Sequence, residues 1–147
     1  MDAMEQFSEV FDVLAALAPI TANGAVGAHV TGYFSLADAH RAFGFLHLGT
    51  PAQGATIDVS MQQATDAFGT GAKALAGKAP TQLVAGDSGG YVGIELQSEE
   101  LDVTNGYEFA QVTVTVGTDT YTYSLVVFGG PLRYAPADVT DFIEVVV

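Results

Sequence analysis

The residues that look most like chemistry are Gly86-Asp87-Ser88-Gly89-Gly90. A serine on a tight glycine turn becomes a nucleophile when a histidine takes its proton and a buried acid orients that histidine. His29 and Asp58 precede Ser88 in the order His, Asp, Ser that one form of this triad uses. The surroundings argue against it. His29 lies in a run rich in Gly, Ala and Thr, and the stretch from His29 to Ser88 is too short for the paired barrels that hold a triad in this order. Gly, Asp and Ser between two strand-like segments are ordinary turn composition. Ser88 reads as a loop residue.

Other candidate groups fail on spacing. Counting back from Gly77-Lys78, the first glycine of a phosphate-cradling loop falls on Ala72, and Ala79 replaces the hydroxyl that would reach magnesium. The dinucleotide pattern that starts at Gly69-Thr70-Gly71 fails at Ala74, where its third glycine belongs. Three histidines, His29, His40 and His47, could bind a metal only if they converged. The odd separation of His40 and His47 puts them on opposite faces of a regular strand. Glu99, Glu100 and Asp102 crowd one turn without the spaced oxygen ligands and central glycine of a calcium loop. No catalytic, cofactor-binding or metal-ligating residue is assigned, and the chain reads as a non-enzyme.

Charge narrows the partners. Seventeen acids face four bases (Arg41, Lys73, Lys78 and Arg133), for a net charge of −13. That excess repels phosphate backbones and anionic membranes, so nucleic acid and membrane are excluded and neutral or basic protein surfaces remain. The chain has no cysteine, hence no disulfide framework and no thiolate metal site. The acidic start lacks the basic stretch of a secretion signal, and no apolar run approaches the ~20 residues of a membrane-spanning helix. The chain is expected to stay soluble.

With 49% apolar residues in a chain of 147, the sequence can build the core of a single domain. Residues 1–20 are expected to form a short amphipathic helix. Met4, Phe7, Val10, Phe11, Leu14 and Leu17 recur at helical spacing opposite Asp2, Glu5, Glu9 and Asp12, and Pro19 ends the run. Residues 21–32, rich in Gly, Ala and Thr, read as a flexible connector that would let the helix reach a neighbouring subunit. Residues 33–147 read as a β domain. Residues 41–48 are apolar on both faces and suit a central strand. Ile57, Val59 and Met61 alternate with Asp58, Ser60 and Gln62, and Val112, Val114 and Val116 alternate with Thr113 and Thr115. The stretch 62–84 reads as an irregular excursion with a helical turn around 66–76. Turns are expected at 49–51, 86–90, 105–106, 117–119 and 129–131. The fold class is mainly β: a single-domain sandwich or open barrel with a short N-terminal amphipathic helix. Candidate partner contacts are Phe7, Phe11 and Leu14 on the helix, with Tyr121 and Tyr123, since tyrosine offers a large rigid face with a polar tip.

Four segments, GYFSLADAHRAFGFLHLG (32–49), ATIDVSMQQATDAFGTGAKALAGKAPTQL (55–83), EELDVTNGYEFAQVTVTVG (99–117) and LRYAPA (132–137), together resemble a family of virion proteins of long-tailed bacteriophages. The resemblance implies a non-enzymatic particle protein without a cofactor. It implies a capsid decoration or cement protein that binds the major capsid protein and copies of itself, and that is assembled into the virion in the host bacterial cytoplasm. The alternative is a head–tail connector or tail-associated subunit; a hydrolase or ligand-binding domain is the alternative of another class. The charge makes one prediction independent of family: at physiological salt the protein gives no mobility shift with duplex DNA at micromolar concentration. A salt-dependent shift would refute it.

Overall fold

The computed structural model describes residues 7–132. After a short helical turn, α1 (Phe7–Val10), and a second, α2 (Thr21–Gly24), the described elements are strands joined by loops and single 3-10 turns. The strands are β1 (Asp12–Leu17), β2 (Gly27–Val30), β3 (Phe34–Ser35), β4 (Ala39–Pro51), β5 (Thr56–Ala64), β6 (Lys73–Ala74), β7 (Leu83–Val84), β8 (Tyr91–Gln97), β9 (Phe109–Gly117) and β10 (Tyr121–Leu132). One sheet runs β1-β10-β4-β8, and the other runs β2-β9-β5-β6, with β3 also on β9 and β7 also on β5. All pairings are antiparallel. Counting β2 with β3 and β6 with β7 as single positions leaves two four-stranded sheets whose neighbours alternate between early and late strands. That is the order of a jelly-roll sandwich, in which successive strands cross from one sheet to the other except at β5, whose followers β6 and β7 pair with it. No described helix is long and apolar enough to cross a membrane.

Alternation builds the core as the sequence indicates. Ile57, Val59 and Met61 of β5 and Val112, Val114 and Val116 of β9 point inward and are buried, facing Leu46, Leu48, Leu96 and Leu125 of the opposite sheet. The outward side of β5 and β9 carries Asp58, Ser60, Thr113 and Thr115, so the second sheet meets solvent with polar groups. Gln62 and Gln111 pair there side by side at 2.7 Å, and Gln111 donates on to the Thr31 carbonyl.

The N-terminal third differs from expectation. In the described residues the helix expected over residues 1–20 covers only Phe7–Val10; 12–17 form β1, and residues 1–6 lie outside the described range. Long-range pairing with β10 outweighs the helical spacing, because it satisfies a row of backbone groups and offers Leu14 and Phe11 a surface cleared of side chains. Gly129 and Gly130 provide that clearance: a Cβ on Gly129 would lie 2.6 Å from Leu14, and one on Gly130 would strike the Phe11 ring. The expected turn at 129–131 is therefore part of β10, and the expected turn at 49–51 is the end of β4. The connector expected at 21–32 holds α2 and β2, and Thr31 exchanges bonds with Val112 through its N–H and hydroxyl, so it is part of the second sheet. The excursion 62–84 has no helix. Its loop is held by Asp66, which accepts from the Thr70 hydroxyl (2.6 Å) and the Thr70 and Phe68 amides. Those bonds, the Thr70 hydroxyl first, hold the Asp66 carboxyl below its usual range. The valine-rich chain end lies outside the described residues.

Tyr121 and Tyr123 point into the sandwich. The Tyr121 hydroxyl donates to the Val84 carbonyl at 3.1 Å, whereas the Tyr123 hydroxyl is buried with no partner among the described residues. Burial pushes Tyr123 up to about 12 and, with Asp87 nearby, raises Tyr121 too. A raised folded-state value means stability that is intact below the unfolded value of about 10 and is lost as pH rises from there toward about 12. Removing an unsatisfied hydroxyl relieves a cost, and removing a bonded one incurs it. Tyr123→Phe is thus expected to gain about 1 kcal/mol in denaturant unfolding and to flatten the alkaline loss, while Tyr121→Phe loses about 1 kcal/mol. Equal losses in both variants would contradict this account.

Candidate functional site

β4 lies between β10 and β8, and its alternation sets Ala42, Gly44, Leu46 and Leu48 inward and Arg41, Phe43, Phe45 and His47 outward. No second layer covers this outward side among the described residues: Phe43 is 42% exposed and Phe45 37%. Cross-strand register brings the outward side chains of neighbouring strands alongside. Phe43 stands between Phe128 and Glu95, Phe45 between Val126 and Gly93, and His47 between Ser124 and Tyr91. Tyr91, 66% exposed, stacks on His47 (ring centroids 4.6 Å apart) and on Phe45 (5.3 Å).

Gly93 fits this arrangement because the Phe43 ring lies over it; a Cβ there would sit 2.6 Å from the tip of the ring. Beside it a shallow depression of about 350 Å³ is lined by Phe11, Arg41, Phe43, Glu95, Phe128 and Pro131. Arg41 and Glu95 pair across the strands at 3.1 Å. Over β4, β8 and β10 the outward side chains thus carry one Arg–Glu pair and one histidine on a chain of net charge −13. On this aromatic sheet face the acidic molecule presents little net charge, the kind of exposed apolar surface that protein–protein contacts use.

The expected contact residues divide. Phe11 is half-buried at the rim of the aromatic face, and Leu14 is half-buried over Gly129 and packs on the core. The side chain of Phe7 lies outside what the structure describes. Tyr121 and Tyr123 are core residues, 0% and 2% exposed, because the register of β10 turns them toward the other sheet. Tyr91, whose neighbours on β4 are aromatic, is the tyrosine exposed on this face.

The groups weighed for chemistry are kept apart. Ser88 donates to the Gly49 carbonyl at 2.8 Å, His29 bonds the Ala25 carbonyl at 2.7 Å, and Asp58 accepts from Gln82 at 2.8 Å. His40 and His47 are both exposed on β4, while His29 belongs to the other sheet. Phe43 and Phe45 were legible as strand residues and missed as surface. The available signal was the small size of the intervening Ala42 and Gly44, which suits the inward side of a sheet packed on another.

No family model and no curated protein matches the chain. Among solved structures it is similar to a chain from the Bacillus endospore appendages, which form a novel family of disulfide-linked pili, at 16% identity and TM-score 0.40, covering 88% of this chain and 95% of that one. It is similar to a chain of the cowpea mosaic virus empty virus-like particle at 9% identity and TM-score 0.45, covering 100% and 90%. It is also similar to a chain of the naturally occurring empty particles of that virus, its top component, at 10% identity and TM-score 0.41, covering 91% and 89%.

The two sides of β4 differ enough for a paired substitution to separate them. Phe45→Ala is expected to cost about 1 kcal/mol or less, as for a surface side chain, and Leu46→Ala about 2–5 kcal/mol, as for a filled core. Chemical denaturation of both variants decides, and a Phe45→Ala cost equal to that of Leu46→Ala would place Phe45 under a covering layer.

Proposed function

We propose that the protein is a non-enzymatic structural subunit of a tailed-phage particle, a decoration or cement protein that lies on the coat lattice and meets the major capsid protein through the outer face of the β1-β10-β4-β8 sheet. The observation that carries this reading is the exposed, nearly uncharged aromatic face built by Phe43, Phe45 and Tyr91 on an otherwise acidic molecule. Aromatic side chains held rigid by a sheet lose little freedom on contact and supply most of the energy of a protein interface. The four sequence segments that resemble long-tailed phage virion proteins support the setting, and the same excess of acids that repels packaged nucleic acid suits a protein on the outside of a head. A jelly-roll sandwich occurs in capsid proteins and in sugar-binding proteins alike, so the fold is compatible with this role without selecting it.

Quantitative mass spectrometry of purified particles tests the proposal. Copies on the order of hundreds relative to the coat protein are expected for a lattice-bound subunit. A folded Phe43→Ser, Phe45→Ser variant is expected to be left out of the particle. A small ring number of copies would assign the protein to the neck or tail, and absence from particles would overturn the reading.

A further inference from the structure

A second feature lies at one end of the sandwich, away from the aromatic face. The turn 36–38 and the loop 98–108 enclose a cleft of about 450 Å³. Its floor is apolar: Leu36 and Leu101 are 3% and 6% exposed, and Ala37 and the half-exposed Val103 continue the wall. Its rim holds two carboxylates, Glu99 and Glu108, both exposed. Neither has an ion pair among the described residues. The three described bases are engaged elsewhere, Arg41 with Glu95, Lys73 with Asp102 and Lys78 with Glu100. The contrast within the loop is direct: Glu100 turns to Lys78 at 2.7 Å and to the Gln97 amide, while its neighbour Glu99 lines the cleft.

We propose that this cleft receives a lysine or arginine side chain of a protein partner. A long basic side chain is apolar along its stem and charged at its tip, and it buries the stem only where the tip stays solvated or paired. Leu36, Leu101 and Val103 offer the stem a surface, and Glu99 and Glu108 offer the tip two acceptors without displacing an existing pair. An anionic side chain is repelled by the same rim, and an uncharged apolar one leaves both carboxylates unpaired. The cleft therefore selects for a basic residue and supplies charge complementarity to a partner, in keeping with a net charge of −13.

The test is an amide-shift titration of the full chain by NMR with Nα-acetyl-lysine methylamide, its arginine analogue and the uncharged norleucine analogue. Saturable shifts at Leu36, Ala37, Leu101 and Val103 are expected with the two basic compounds. The norleucine compound, and the basic ones on a Glu99→Gln, Glu108→Gln variant, should bind about tenfold more weakly, the effect of two exposed ion pairs. The variant's unchanged shifts in the sheets report that it is folded. Equal binding of norleucine, full binding to the variant, or no shift at the cleft would overturn the proposal. Binding that emerges only in Arg133→Gln would assign the cleft to the chain's own remaining base and overturn it equally.

Discussion

Two sheets packed face to face cover only their inner surfaces, and the rest of this molecule follows from what is left on the outer ones. The inner faces meet through β4 and β10 on one side and β5 and β9 on the other, the four longest strands, each central in its sheet. Their inward side chains, Leu46, Leu125, Val112 and Ile57 among them, are buried to 1% exposure or less. Outside, the two sheets diverge in chemistry. One presents Thr, Ser, Asp and Gln, side chains that water solvates. The other presents phenylalanines and a tyrosine, which water does not solvate well.

The aromatic side is backed by a rigid frame. β4 and β10 pair from Ala39 with Leu132 to Pro51 with Tyr121, so the surface that holds Phe43 and Phe45 is anchored along its length. β1 adds an outer strand to β10, and Gly129 and Gly130 let Leu14 and Phe11 lie against that strand. Charge completes the separation of roles. Acids concentrate in loops and on the polar sheet, where Asp102 and Glu100 hold Lys73 and Lys78, and they leave the aromatic face with one internal pair, Arg41 with Glu95. Such a surface meets a partner without first paying to desolvate unpaired ions.

Much of the sandwich was legible in the sequence, because strict alternation at Ile57–Met61 and Val112–Val116 is a property of the residues themselves. The strand-central character of 41–48 was legible as well. Its outer exposure was not, since the same apolar residues on both faces fit either a layer above or an open surface, and only the packing of the other elements decides. The N-terminal segment was misread for the same kind of reason. Apolar residues at helical spacing in 7–17 satisfy two local patterns, and the long-range partner, β10, chooses between them. Tyr121 and Tyr123 were assigned to a surface by residue type, yet their side of the strand is set by register with β4. Phe11 borders the aromatic face while Leu14, over Gly129, packs on the core, a division that no helical projection contains.

The proposed role requires the outer face of β4 and β8 to be solvent-facing in the free protein and covered in the particle. Hydroxyl-radical footprinting read by mass spectrometry measures this at single residues. Phe43, Phe45 and Tyr91 should be oxidised readily in the isolated protein and be protected several-fold in purified particles, with Thr115 and Ser60 on the opposite sheet face serving as the reference side. Equal oxidation of the three aromatic residues in both states would contradict the account.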